Sequence, residues 1–590
     1  MTVPTVVSQA KGLGFLLEET PAGDIFTPED LTPEHLAVGR TVDEFWANEV
    51  EPNLAAIRQQ TPGLALEILR KSAKLGLTAI SIPEEYGGME MDLPSLMVAG
   101  EHMGRDSSYG SWYSAHTGIG TLPVLYFGNE QQKRKYLPKL AQVELLAAYA
   151  LTEPQAGSDA LGARTHAELS ADGTHYILNG QKMWITNGGA ADLYTVFAKV
   201  GGEKFTAFLV ERSFPGVSSG AEEHKMGMKG SSTTAVYFDN VRVPVENVLG
   251  EIGRGHIIAF NILNIGRLKL GPGSLGAAKN VLAVSIKYAK QRKAFGSSIA
   301  DFGAIQHKIA EMAIRIYATE SMTWRIVGLI ESKLHSLQSE HSDISLREMK
   351  ALEEYAAECS MVKVFASEML DYVVDEGVQI HGGYGYHQDY LVERAYRDSR
   401  INRLFEGTNE INRLLIPSML LKRAARGDLA LLPAIQSVLA GKGRAWQGAD
   451  EQARLVQNAK CIALLAIGVA FQKYGQVLPK QQEVLMSISD ILIEIMAMES
   501  ILLRSQKLAG SGVGCNARDM TAAYLPESID RVGLSCKVIL GACLEGEALS
   551  QKMSMLREFA SYDPIDVIGL RRTIAHRLLA AERYVSVAKS

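Results

Sequence analysis

A chain of 590 residues, 47% hydrophobic and 21% charged, has room for roughly four domains at about 150 residues each and is too apolar to remain disordered. Its formal net charge of −6 excludes the broad basic footprint expected of a nucleic-acid binder. The five cysteines (Cys359, Cys461, Cys515, Cys536, Cys543) form no CxxC pair, which argues for a reduced compartment and against a structural zinc site.

The N-terminal stretch MTVPTVVSQAKGLGFLLEE lacks both a basic lead into a long apolar run and an Arg-rich pattern. No secretory or transit peptide is expected, and the location is read as cytoplasmic. Residues 32–146 carry helical periodicity, as in LALEILRKSAKLGL. The texture turns to β over residues 148–253, where short runs rich in Tyr, Ile, Thr and Val are punctuated by Asn179-Gly180 and Asn187-Gly188. Both pairs predict hairpin turns, and further strands are expected at 205–210 and 234–238. Long amphipathic helices resume at Ile257 and run to about Ala425. A Gly/Pro-marked segment then leads into more helix. The apolar run CIALLAIGVAF, residues 461–471, is short of the roughly 20 residues that span a bilayer and is read as a buried helix.

This layout predicts an α+β multidomain fold of segregated helical and β blocks. The blocks are a helical domain at 1–147, a β-barrel-like domain at 148–256, a four-helix-bundle domain at 257–426 and an extra helical domain at 427–590. No GxGxxG follows a strand and no GxxxxGK[ST] occurs. The glycine cluster at 510–514 lies in a helical region, so neither a Rossmann fold nor a P-loop is expected.

Four stretches could carry chemistry. In INRLFEGTNEINRLL, residues 401–415, Glu406 follows Phe405 and precedes a helix that Thr408 can cap. That leaves free N–H groups at Gly407, Thr408 and Asn409, beside a carboxylate suited to general-base work. An acid at a helix start also simply complements the helix dipole. YALTEPQAGSD (149–159) and KMWITNGG (182–189) offer small residues, hydroxyls and Trp184 to a flat or phosphorylated ligand, or are ordinary turns and strand packing. Arg292 in KQRKAFGSS ends a helix, where basic residues also suit the dipole. QIHGGYGYHQDY (379–390) has glycines that admit close backbone approach, or make a plain helix cap.

Taken together and in this order, TEPQAGSD, KMWITNG, RKAFG, HGGYGY and FEGTNEI resemble the acyl-CoA dehydrogenase family of flavoenzymes over about residues 26–425. The C-terminal extension and NILNIGR (261–267) look most like the very-long-chain branch. The resemblance implies FAD as cofactor and Glu406 as the base that removes the acyl-CoA α-proton. The β-hydrogen would leave as hydride to flavin N5, and an electron-transfer flavoprotein would take the electrons. It assigns flavin contacts to Tyr149, Leu151, Thr152, Gly157, Ser158, Trp184 and Thr186. Arg292, Gln379 and Gly383 would meet the flavin of a neighbouring subunit, and Thr408 and Glu410 follow the base. Ser158, Asn264, Arg267 and Gly407 match acyl-CoA contacts, and the backbone N–H of Glu406 would bind the thioester oxygen.

A homo-oligomer follows from flavin sharing, and the extension favours a dimer. Lys269 departs from the pattern, standing where a small residue is expected. The small residues Ser114, Ala115, Thr117, Gly118 and Gly120 would leave room for a long acyl chain, or merely permit close helix packing. Peripheral membrane contact through LALLPAIQSVLAGKGRAW has little basic charge behind it. An acyl-CoA oxidase of the same superfamily, or a non-catalytic assembly protein that keeps the fold, are the rival readings.

Overall fold

The computed structural model describes residues 10–340, 343–441, 450–509 and 514–587. Of the glycine cluster at 510–514, only Gly514 lies among them, as the N-cap of a helix. The Gly-rich part of the segment after Leu439 falls partly outside them, at 442–449.

Side-chain caps start the N-terminal helices. Thr32 opens α1 (Pro33–Phe45) by accepting from the His35 N–H, and α2 (Leu64–Lys74) follows. Asp92 opens α3 (Leu93–Met103), Asp106 opens α4 (Ser107–Ala115) and Asn129 opens α5 (Glu130–Ala141), each with a carbonyl-type oxygen on an early backbone N–H. Between α4 and α5 the chain makes a π-turn at His116–Gly120.

The middle region is one eight-stranded mixed sheet. Its strands are β1 (Ala147–Ala150), β2 (His166–Leu169), β3 (His175–Thr186), β4 (Leu193–Val200), β5 (Lys204–Glu211), β6 (Val217–Glu222), β7 (Thr233–Pro244) and β8 (Val248–Leu249). The order is β6-β7-β3-β2-β4-β5-β8, with β1 parallel to β4. A separate apolar core built from Tyr176, Leu178, Phe208, Val210 and Val241 fills it.

The two expected hairpins are corrected here. Asn179-Gly180 lies inside the unbroken β3, at a register shift against β7. There Asn179 Oδ1 accepts the Asn240 N–H at 2.8 Å, and Thr165 crowds the position where a Gly180 Cβ would sit. The pair marks a bulge rather than a turn, because Asn-Gly reports tolerance of positive φ and not chain reversal. Asn187-Gly188 does turn the chain, with Asn187 at φ 62°. The strands it joins, β3 and β4, are separated in the sheet by β2, so no hairpin forms.

The long helices α6 (Gly255–Gln291), α7 (Gly303–Ser336), α8 (Ala356–His381) and α9 (Asn409–Arg426) form the central bundle. Helix α3 lies so close to α6 that a Cβ on Gly276 would fall 1.9 Å from the Glu101 carbonyl oxygen. The extension adds α10 (Glu451–Tyr474), α11 (Gln482–Ala509) and α12 (Cys515–Cys543). Buried charge ties it to the bundle. Arg504 of α11 reaches Glu320 of α7 at 2.7 Å and Glu29 at 2.6 Å, and Glu499 accepts from Arg325 at 2.8 Å. Among the described residues one helix, α10 with the turn after it, is long and apolar enough to cross a membrane, but 78% of its apolar window is buried against the rest of the fold.

Candidate active site

Glu406 stands on a short loop between the turn at Arg400–Arg403 and α9. It adopts φ 56°, and Gly407 follows at φ 78°. Two successive left-handed residues, one of them not glycine, are a strained arrangement that neighbours must hold. They do so through the backbone. The Glu406 carbonyl accepts from Arg267 Nε at 3.1 Å, and Asn412 Nδ2 donates to Gly407 O at 2.8 Å and Thr408 O at 3.0 Å. Thr408 caps α9, with its hydroxyl accepting from Ile411 N–H at 3.3 Å. Glu410, in the first turn of α9, is exposed and points its charge at the helix start. The N–H groups of Glu406, Gly407 and Thr408 find no acceptor among the described residues.

The carboxylate itself is enclosed. Glu406 Oε2 is buried without a hydrogen-bond partner. A Cβ on Gly266 of α6 would sit 2.7 Å from it, so only glycine fits there. Burial pushes the Glu406 carboxyl up to about 7, against the opposing pull of Arg267, Lys363 and Lys269. Lys363 of α8 gave no signal in the sequence. It is fully buried, donates to Asn409 Oδ1 at 2.6 Å, and burial brings it down to about 7. Asn264 and Arg267, one turn apart on α6, are both buried, with Arg267 Nη1 donating to Asn264 Oδ1 at 3.0 Å. In this structure the pair supports the Glu406 loop from below.

A base must be ionised to accept a proton. The sign is therefore fixed: kcat/KM should climb about tenfold per pH unit below about 7 and level off above it. Stopped-flow flavin reduction across neutral pH measures this, and a flat profile there would remove Glu406 from the role.

From Glu406 a cavity of about 170 Å³ extends along α6, lined on that side by Gly266, Lys269, Gly273 and Ala277. Gly266 to Ala277 is eleven residues, or about 16 Å of helix. Ser111, Ser114, Ala115 and Gly118 line the facing side. Of the small residues singled out in the sequence, Thr117 and Gly120 stay off the wall. Thr117 instead accepts from Lys269 Nζ at 3.2 Å, and Gly120 packs on Ala147.

Thr186 reaches the same cavity. Beside it Trp184 is 59% exposed with φ 55°, an unusual conformation and exposure for a large aromatic. Thr152, Gly157 and Ser158 are accessible, and nothing lies within 4 Å of a Cβ built on Gly157. Tyr149 is buried and donates to Ala259 O on α6 at 3.3 Å, while Leu151 is buried with its carbonyl accepting from Lys182.

That lysine joins the two motifs. Lys182 Nζ meets Glu153 Oε1 at 2.8 Å and Leu151 O at 3.1 Å, with both side chains shielded from solvent. Glu153 also accepts the N–H groups of Arg164 at 2.6 Å and Thr165 at 3.0 Å. Burial alone would raise this carboxyl, but Lys182 and the backbone donors outweigh it and hold it low.

Arg292, Gln379 and Gly383 are not brought to this site. All three are exposed: Arg292, just past the end of α6, is 25 residues or about 37 Å of helix from Arg267, and Gln379 and Gly383 lie at and just past the end of α8. Arg292 lies over the Tyr384 ring there, next to Phe295 and Tyr386, which are 96% and 87% exposed.

Comparison with known proteins decides the family. The N-terminal, middle and C-terminal domain models of acyl-CoA dehydrogenases match residues 32–144, 148–241 and 253–421, and a further C-terminal domain model matches 458–558. A probable acyl-CoA dehydrogenase of Bacillus subtilis is 47% identical over 583 residues, covering 97% of this chain and 98% of its own. The chain belongs to the acyl-CoA dehydrogenase family. A crystal structure of an acyl-CoA dehydrogenase complexed with FAD from Bacillus anthracis superposes with a TM-score of 0.96 at 47% identity, over 98% of this chain and 100% of that one. The bovine very long-chain specific enzyme is 42% identical over 58% of this chain and 51% of its own.

As an acyl-CoA dehydrogenase the protein is an oxidoreductase, and its cofactor is FAD. The residues fit that group: Trp184 offers an exposed aromatic face, Thr152, Ser158 and Thr186 offer hydroxyls, Gly157 offers open backbone, and Thr186 lines the cavity that holds Glu406.

Proposed function

We propose that the chain converts long acyl-CoA esters to trans-2-enoyl-CoA, with Glu406 as base. The observation that carries this reading is the Glu406 carboxylate, its Oε2 buried without a partner, on the wall of a cavity that follows α6. An α-proton beside a thioester is too weakly acidic for an exposed carboxylate to remove quickly. Burial raises the proton affinity of Glu406, and the unspent Glu406 N–H offers a donor to the thioester oxygen as negative charge develops. Arg267 and Asn412 hold the loop that carries both groups by donating to its backbone carbonyls. FAD, when bound, supplies the two-electron acceptor for the β-hydrogen. Trp184, Thr186, Thr152, Gly157 and Ser158 are the residues that would hold it, with Tyr149 and Leu151 packed behind them. Ser158 and Gly407 would also meet the acyl-CoA.

The long-chain assignment rests on the cavity that follows α6. Ala277→Phe should close its far end, raising KM for palmitoyl-CoA at least about tenfold while leaving butyryl-CoA unaffected. Mass spectrometry of the product, with an artificial electron acceptor, tests the reaction itself. Recovery of unchanged saturated ester would oppose it.

An electron-transfer flavoprotein is the proposed acceptor in place of oxygen, and anaerobic turnover with that protein separates the two. The exposed Arg292, Gln379, Gly383, Phe295 and Tyr386 support a homodimer in which this patch completes the partner's flavin site.

A further inference from the structure

Within the acyl cavity Lys269 stands out chemically. It sits three residues beyond Gly266 on α6, so its side chain enters the cavity one helical turn past Glu406. Its Nζ crosses towards the π-turn, 3.0 Å from where a Gly118 Cβ would be, and donates to Thr117 Oγ1. Thr117 is a neutral acceptor that in turn donates to Tyr113 O at 2.9 Å. Among the described residues no carboxylate lies within ion-pair distance of Lys269 Nζ. An ammonium has three N–H groups, so two find no protein acceptor among the described residues, at a side chain that is half-buried on the cavity wall. Burial brings Lys269 down to about 8, with Glu406 opposing the fall. It is therefore still a cation at neutral pH.

A second polar group shares this wall. Ser274, five residues further along α6, is 3% exposed, and its hydroxyl is buried without a partner. Ser114 of α4 lines the same cavity. A cavity meant only for hydrocarbon gains nothing from an unpaired cation and an unpaired hydroxyl, since each costs free energy when desolvated.

We propose that Lys269 is a specificity-determining residue that selects acyl-CoA esters whose chain bears a carboxylate beyond the reacting carbons. A hydroxyl on the chain would satisfy one N–H but leave the charge uncompensated; a carboxylate does both. The inference rests on the acyl-CoA reading above and names the substrate within it.

The test compares the holoenzyme on adipoyl-, suberoyl- and sebacoyl-CoA with hexanoyl-, octanoyl- and decanoyl-CoA, in wild type, K269M and K269R. The expected result is a wild-type kcat/KM at least about tenfold higher for one or more carboxylated esters than for the plain ester of equal length. K269M should lose that preference through KM, and K269R should keep most of it. Equal losses on both ester classes in K269M, or a wild-type preference for plain esters at every length, would overturn the proposal. If no ester of either class reduces the wild-type flavin, the acyl-CoA reading itself falls, which is a different result from a lost preference.

Discussion

Glu406→Gln is expected to lower the rate of flavin reduction by about three orders of magnitude while leaving the bound flavin and the fold intact. Gln keeps the shape that Gly266 was cleared to admit, and the Arg267 bond goes to the backbone carbonyl, which the substitution does not touch. What disappears is a proton acceptor. The variant also removes a buried ionisable group whose charged form is disfavoured by burial, so its thermal midpoint should equal or exceed that of wild type. Loss of activity together with loss of flavin would point instead to a collapsed loop. A rate within tenfold of wild type would remove Glu406 as the base.

Lys182→Met should cost about 3–5 kcal/mol, because it leaves Glu153 buried without its counter-charge. The damage reaches the cofactor. Lys182 is anchored to Leu151 O and Glu153 on one side and sits two residues before Trp184 on the other, so the pair holds the two flavin-side segments in register. A lowered urea midpoint should therefore be accompanied by weaker FAD retention. The double variant Lys182→Met with Glu153→Leu should recover much of the stability, since an apolar pair replaces a buried ionic one without stranding a charge. A wild-type midpoint for Lys182→Met alone would contradict the role given to the pair.

The parts of the molecule legible in the sequence are those encoded over a few residues. Thr408 caps α9 as its position before EINRLL suggests, and Arg292 ends α6 at the Gly turn. Segments 205–210 and 234–238 fall within β5 and β7. The first hairpin is absent for a local reason: Asn-Gly marks a backbone that accepts positive φ, and the bulge at Asn179-Gly180 uses that freedom as well as a turn does; the second is absent because β2 lies between the strands that Asn187-Gly188 joins. The remainder failed for a non-local reason. Lys363 reaches Glu406 by way of α8, and Lys182 meets Glu153 across 29 positions of sequence. Each lysine reads alone as an ordinary surface cation; only packing shows it to be buried. Lys269 was visible as a departure from the family pattern, but the direction it points depends on how α6 faces the π-turn at His116–Gly120.

The central claim is that Glu406 and this cavity act on an acyl-CoA α,β-bond. Anaerobic titration of the purified yellow protein with palmitoyl-CoA and its carboxylated counterparts, followed by flavin absorbance, tests it most directly. The account predicts stoichiometric bleaching by a long ester, with no bleaching of Glu406→Gln over the same interval. A flavin that stays oxidised with every ester, or a variant that bleaches as fast as wild type, would contradict it.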